Sequence, residues 1–189
     1  WMDNCGAVWT NNQPSTTGAY EETGCGAKAI SAGGNNIAYV DSTNTAYAAY
    51  SWNGTANRVS NVGDATNIAV SNQGILMMVT GCGAAYSNNT FSTSGWHGFT
   101  GCGDATAIAT GGLYIGFING GGTAWGATTW NGSINQISNT GDAQAISMND
   151  MPRILMISSC NAAYAKDNVN DKNNWIGQTG CNDATAIAG

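Results

Sequence analysis

The chain has 189 residues, a formal net charge of −6 and 8% charged residues, against about a quarter in an ordinary globular protein. Its five basic residues, Lys28, Arg58, Arg153, Lys166 and Lys172, form no cluster, so the cationic stripe that nucleic acid requires is missing and anionic membranes are disfavoured. The longest apolar run, Ile75 to Val79, is too short to span a bilayer as a helix, so no membrane insertion is expected.

In chain order, Trp1-Met2-Asp3 reads as the end of a second strand, with Cys5-Gly6-Ala7-Val8-Trp9 as a third. A short phrase then recurs: Gly-Cys-Gly-Ala-Lys-Ala-Ile at 24–30, Val-Gly-Asp-Ala-Thr-Asn-Ile at 62–68, Cys-Gly-Asp-Ala-Thr-Ala-Ile at 102–108, Thr-Gly-Asp-Ala-Gln-Ala-Ile at 140–146 and Cys-Asn-Asp-Ala-Thr-Ala-Ile at 181–187. Its isoleucines, Ile30, Ile68, Ile108, Ile146 and Ile187, lie 38, 40, 38 and 41 residues apart. A period near 40 is a repeat architecture.

Each unit reads as four short strands. The phrase itself is the first. After a turn such as Ser71-Asn72-Gln73-Gly74 comes an apolar second strand, Ile75 to Val79, Leu113 to Ile118 or Ile154 to Ile157. The third is small and aromatic, as in Gly83-Ala84-Ala85-Tyr86, and the fourth is polar, as in Gly95-Trp96-His97-Gly98-Phe99. Short runs bounded by Gly, Asn and Ser are strand signals, and no stretch keeps an apolar helical period. Four strands in about 40 residues make a β-propeller blade. The chain ends at Ala184 to Ala188, a first strand with nothing after it. The expected fold is therefore all-β: a five-bladed β-propeller, one domain over 1–189, whose last blade is formed by 184–189 plus 1–26. Closure removes exposed sheet edges.

The blades are of two kinds. Two carry Ser51-Trp52-Asn53-Gly54-Thr55 and Thr129-Trp130-Asn131-Gly132-Ser133. Three carry cysteines 20, 20 and 21 residues apart: Cys5 and Cys25, Cys82 and Cys102, Cys160 and Cys181. Both cysteines of a pair fall in loops at one end of a blade, so three intra-blade disulfides are expected from among 15 possible pairings. Each closes a loop worth about 3 kcal/mol in the chain-entropy model. Disulfides imply an oxidising compartment, and the protein reads as secreted. Asn53, Asn88 and Asn131 head Asn-x-Ser/Thr triplets that accept glycans in a eukaryotic source.

The aspartates of the phrase, Asp64, Asp104, Asp142 and Asp183, carry two readings: a ring of carboxylates for cations or sugar hydroxyls, or turn residues capping their own backbone. The third-strand aromatics Trp9, Tyr47, Tyr86, Trp125 and Tyr164 recur regularly and read as packing between blades. A second aromatic set, Trp52, Trp130, Trp96 and Trp175 with Tyr20 as a weaker counterpart, lies among polar neighbours. An indole plate beside amides and carboxylates suits the apolar face and hydroxyl rim of a sugar. The candidate sugar-binding residues are Trp96, Trp175, Tyr20, Trp52, Trp130, Asn53, Asn131, Asp104 and Asp183. His97, the only histidine, has no second ligand beside it in the sequence, and no cofactor or metal is expected.

The blade layout of Gly95-Trp96-x-x-Phe99, the turn at Gly74, Ile75-Leu76-Met77 and the third strand ending at Tyr86 resembles the tachylectin-type lectin propellers. The resemblance implies five blades and recognition of N-acetylated sugars. The expected function is a secreted lectin with several quasi-equivalent sites and glycans or glycoproteins as partners. A structural or interaction protein of an extracellular coat or matrix is the alternative, and a glycosidase-like propeller enzyme the third reading.

Overall fold

The computed structural model describes residues 1–12, 18–151 and 153–188. The expected last blade, 184–189 plus 1–26, thus includes residues 13–17 and 189, which lie outside the described residues.

No helix occurs among the described residues. Sheet one pairs β1 (Val8–Thr10) with β2 (Tyr20–Thr23). Sheet two holds β3 (Ala29–Gly33), β4 (Asn36–Val40), β5 (Ala46–Ala49) and β6 (Asn57–Arg58). Sheet three holds β7 (Ala65–Val70), β8 (Leu76–Thr80), β9 (Ala85–Asn88) and β10 (His97–Gly98). Sheet four holds β11 (Ala105–Gly111), β12 (Tyr114–Asn119), β13 (Ala124–Ala127) and β14 (Asn135–Gln136). Sheet five holds β15 (Ala143–Met148), β16 (Ile154–Ser158), β17 (Ala163–Lys166) and β18 (Ile176–Gly177). Sheets two to five are four-stranded antiparallel meanders, each strand paired with its neighbour in sequence.

The repeated phrase forms the inner strands β3, β7, β11 and β15, and Ile30, Ile68, Ile108 and Ile146 line one central cavity of ≈ 280 Å³. Three inner strands share an irregularity. The register of β7 on β8 shifts between Ala65 and Asn67, of β11 on β12 between Ala105 and Ala107, and of β15 on β16 between Ala143 and Ala145. The residue skipped is the polar one of the phrase. Thr66 and Thr106 turn their hydroxyls onto Val79 O and Ile118 O, each at 3.2 Å, so the bulged position is satisfied by its own side chain.

Sheets pack face to face through the alternate residues of their apolar strands. Val40, Val59, Leu76 and Met78 fill the junction of sheets two and three; Met77, Ile115 and Phe117 that of three and four; Ile118, Ile137, Ile154 and Met156 that of four and five. The junction of sheets one and two is small, built on Val8, Ala27 and Tyr39. Sheets two and three recur as sheets four and five with an offset of 78 or 79 residues, as in Trp52/Trp130, Tyr86/Tyr164 and Trp96/Trp175.

All three expected disulfides form. Cys5 bonds to Cys25 with a Cα–Cα distance of 4.9 Å, Cys82 to Cys102 at 4.9 Å and Cys160 to Cys181 at 5.0 Å, and no cysteine is free. Cys82 follows β8 and Cys102 precedes β11, so this bridge closes the loop that contains β9 and β10. Beside each disulfide runs a main-chain bond: Gly26 N–H to Cys5 O at 2.9 Å, Gly103 to Cys82 at 2.6 Å and Asn182 to Cys160 at 2.7 Å. The approach is so close that a Cβ on Gly6 would stand 2.9 Å from Gly26 N, and its φ of +84° suits glycine.

Two expectations change. Sheet one has two strands rather than four. Trp1 and Met2 lie alongside β1 without forming a strand: Met2 makes an isolated bridge to Val8, and Trp9 N–H donates to Trp1 O at 2.8 Å. Residues 184–188, however, form no strand. Ala184 N–H donates to Asn161 O at 2.9 Å, as Ala105 does to Gly83 O at 2.7 Å, but no ladder follows. Second, the backbone-capping carboxylates are not those of the repeated phrase. Asp3 Oδ1 accepts Cys5 N–H at 3.0 Å and Ala7 N–H at 2.9 Å, and Asp41 Oδ1 accepts Thr43 and Thr45 N–H, both at 2.9 Å. The phrase aspartates hold their turns through main-chain carbonyls, Asp64 O accepting Gly81 N–H at 2.7 Å and Asp104 O accepting Gly120 N–H at 2.6 Å.

Candidate functional site

Trp96 stands on the loop between β9 and β10, and a buried amide shapes that loop. Asn88 Nδ2 donates to Ser94 O at 2.9 Å, and Asn88 Oδ1 accepts the N–H and hydroxyl of Thr90 at 3.0 and 2.9 Å. The folded loop lays Trp96 against sheet two, where its indole N–H donates to Val59 O at 2.9 Å and to Ser92 O at 3.2 Å. The half-buried ring lines a cleft of ≈ 540 Å³. Trp96, Tyr86 and Met78 form its apolar wall, and Asn61, Asp64 and Thr93 supply amide, carboxylate and hydroxyl groups, the Ser60 and Thr80 hydroxyls being held by backbone N–H groups of Ala46 and Ala84. Cys82, bonded to Cys102, closes part of the rim. Among the described residues Asp64 is the only charged one in the lining. The volume lies within the range of small-ligand sites.

The arrangement recurs at sheets four and five. Trp175 donates its indole N–H to Ile137 O at 2.7 Å. The repeat offset sets Ser138, Asn139, Asp142, Met156 and Tyr164 where sheet three has its cleft residues. The loop hub differs, because Lys166 replaces Asn88. Its side chain is 1% exposed, and Nζ donates to Asp171 O at 2.6 Å, Asn173 O at 2.8 Å and Asp171 Oδ1 at 3.1 Å. It also lies 5.1 Å from the centre of the Trp175 ring, a cation–π contact. The Lys166 hydrogen bond holds the Asp171 carboxyl below its usual range.

The remaining sequence candidates scatter. Trp52 and Trp130 lie at the other two junctions, where their carbonyls accept the hydroxyls of Thr10 and Ser87 from the preceding sheet. Trp130 packs edge-on to His97 at 6.4 Å between ring centres. Asn53 and Asn131 are exposed at the tips of equivalent turns. Tyr20 pairs with Thr10 in the register that His97 keeps with Ser87, so it is the counterpart of His97 rather than of Trp96. Asp104 and Asp183 are exposed and follow their tryptophans in sequence, whereas the carboxylate sharing the cleft with Trp96 is Asp64 of the preceding turn. Asn88, at 1% exposure with both amide atoms engaged, is closed to glycosylation.

Sequence reasoning passed over Asp64, Asn61 and Thr93 as partners of Trp96, and it also missed Glu22. That carboxyl sits at the junction of sheets one and two, its Oε1 3.4 Å from the Thr10 hydroxyl oxygen. Burial pushes it up to about 7, and burial with the nearby Glu22 charge pushes Tyr39 up to about 12. No group of three His, Cys, Asp or Glu that could hold a metal occurs among the described residues.

No family model and no curated protein matches the sequence. Solved structures do match in fold. Human WBSCR16 superposes with a TM-score of 0.65 at 9% identity over 90% of this chain and 57% of that one. Saccharomyces cerevisiae Prp20p, described with its binding to Gsp1p and histones, gives 0.59 at 8% identity over 87% and 51%. A chain of the nidogen/laminin complex gives 0.55 at 12% identity over 79% and 63%. The chain therefore spans between 51% and 63% of the length of these neighbours. They are β-propellers, and at such identities the likeness is one of fold. It supports the propeller expected from the sequence and not the tachylectin type in particular.

Proposed function

We propose that this chain is a secreted carbohydrate-binding protein whose sugar sites are the clefts at Trp96 and Trp175. The observation that carries the reading is the anchoring of Trp96: its N–H is tied to Val59 O, and its ring walls a cleft with Tyr86 opposite Asn61, Asp64 and Thr93. A pyranose stacks one apolar face on such a plate and gives its hydroxyls to the amide, carboxylate and hydroxyl groups. Asp64 as the only charge in the cleft suits a neutral sugar. Three disulfides fit an oxidising, extracellular setting. Each site binds weakly, at millimolar to micromolar Kd or roughly 4–8 kcal/mol, and repeated sites gain avidity on clustered glycans. A glycan array followed by monovalent titration tests this. No binding of any glycan at millimolar concentration overturns it.

The second reading, a protein-interaction module of an extracellular coat or matrix, draws on neighbours described with protein partners, in the nidogen/laminin complex and in Prp20p with Gsp1p and histones. Retention of an enzymatically deglycosylated matrix protein, with an empty glycan array, favours it over the lectin.

We also propose that the chain is one domain in which 184–189 complete the sheet begun by Trp1. Trp1 and Leu155 hold the register positions that Met78 and Met77 hold in sheet three. Met78 and Met77 are buried between sheets at 5% and 0% exposure, whereas Trp1 is 49% exposed and calls for a neighbour.

A further inference from the structure

At one end of the central cavity the turns between first and second strands converge. They enclose a pocket of ≈ 180 Å³ that includes Gly33, Ser71, Asn72, Thr110, Asn149 and Asp150 in its lining. Every buried side-chain nitrogen or oxygen without a hydrogen-bond partner among the described residues is carried by a residue that lines this pocket: Asn72 Oδ1, Thr110 Oγ1 and Asn149 Oδ1. They come from sheets three, four and five, at successive separations of 38 and 39 residues. Buried polar atoms are almost always paired, by protein, water or ion, so three orphans on residues lining one pocket ask for a common partner.

The backbone around those residues is closely packed. A Cβ on Gly33 would stand 2.5 Å from Val70 O, and one on Gly111 would stand 2.1 Å from Asn149 O, so each inner strand ends pressed against the turn of the next sheet. Ser71 Oγ donates to Gly112 O at 2.6 Å, and Gly112 N–H donates to Asp150 Oδ1 at 3.2 Å. The turns are thus locked to one another around the pocket.

The donor set decides the class of partner. It consists of two amide oxygens, a hydroxyl and one carboxylate, with no thiolate, no imidazole and no cationic residue in the lining. Hard oxygens select a hard cation. The space fits an ion with a few waters, at about 30 Å³ each, and falls below the roughly 300 Å³ of small-molecule sites. Calcium accepts carbonyl oxygens and waters in irregular geometry, where magnesium demands a near-ideal octahedron. We propose that this end of the cavity binds one Ca²⁺ through Asn72 Oδ1, Asn149 Oδ1 and Thr110 Oγ1, with Asp150 supplying the negative charge. A single carboxylate places the affinity in the weak class of extracellular modules, about 10⁻⁴–10⁻³ M. The ion ties together three sheets at an end of the ring where no disulfide acts.

The test is thermal unfolding of the whole protein, first stripped with EDTA, then titrated with CaCl₂ to 10 mM at constant ionic strength. At ten times Kd the folding constant rises about tenfold, seen as a saturable increase in Tm. Calorimetry should count one ion per chain. Magnesium should do much less, and Asn149→Ala and Asp150→Asn should each abolish or strongly weaken the response. Asp150→Asn changes an exposed side chain and remains readable if Asn149→Ala fails to fold. The same melting curve in calcium and in choline chloride of equal ionic strength overturns the proposal and leaves ordered water as the partner. A calcium response undiminished in Asp150→Asn overturns it too, because the ion then binds elsewhere.

Discussion

Across the boundary between sheets two and three, the indole N–H of Trp96 donates to the carbonyl of Val59 at 2.9 Å. The bond makes Trp96 both a structural tie and the wall of a cleft, and two substitutions separate these roles. Trp96→Phe keeps an aromatic plate and loses the donor, a cost of about 1 kcal/mol, while sugar retention persists in weakened form. Trp96→Ala loses plate and packing together, costs about 2–3 kcal/mol and abolishes binding at that cleft. Urea unfolding and affinity chromatography on a multivalent glycan read the two effects. Equal retention by Trp96→Ala and wild type would move the sites elsewhere.

Lys166 does with an ammonium what Asn88 does with an amide in the equivalent loop. Lys166→Ala strands Asp171 and two loop carbonyls, with an expected loss of about 2 kcal/mol. Lys166→Asn, which installs the sheet-three solution, should recover part of it. Chemical denaturation of the three proteins checks the order wild type, Asn, Ala; an unchanged midpoint in Lys166→Ala would refute it.

Glu22 gives the folded protein a pH dependence opposite to that of most carboxylates. Its pKa is pushed up to about 7 from 4.5. The folded state therefore favours the protonated form. The Glu22 contribution to stability is fullest below about 4.5 and is lost as pH rises toward 7. Asp3 and Asp171, both held low chiefly by hydrogen bonds, work the other way: their stabilisation is present above the ordinary carboxylate range and lost as pH falls through it. Glu22→Gln should flatten the stability profile between pH 5 and 7 and raise the unfolding free energy at pH 8 by about 1 kcal/mol after allowing for solvent screening, seen as a higher Tm. Identical Tm profiles for variant and wild type across that window would count against it.

Removal of 184–189 tests the ring. If this segment completes the sheet begun by Trp1, the shortened chain loses cooperative unfolding rather than fraying at one end. Calorimetry supplies the measurement, and a single transition at the wild-type temperature would show that the ring is not closed by these residues.

The period and its contents were legible in the sequence because they are local. The repeated isoleucine marks an inner strand in sheets two to five, and equal cysteine spacing gave all three bridges, Cys82 to Cys102 among them. Each of these follows from geometry within one sheet. The cleft was less legible because it lies between sheets. Asp104, in the motif that follows Trp96, is not among the cleft residues, and Asp64 reaches the cleft because sheet three packs onto the turn that ends sheet two. Tyr20 was placed one residue out of register, a slip that period-2 pairing turns into a change of face. Asn88 looked like a surface acceptor, since nothing in an Asn-Asn-Thr triplet tells a buried hub from an exposed tip.

The two-sheet repeat has a consequence of parity. Stapled and plain sheets alternate, so each of the four junctions joins unlike neighbours. A closed circuit of unlike neighbours needs an even number of members, and this chain has five sheets. Closure of the proposed ring would set sheet five, with Cys160 and Cys181, against sheet one, with Cys5 and Cys25. In a closed ring that seam would join two members of the same kind, and none of the four junctions among the described residues serves as its template. Growth or loss by a pair of sheets leaves every other contact of a familiar kind, whereas change by a single sheet does not.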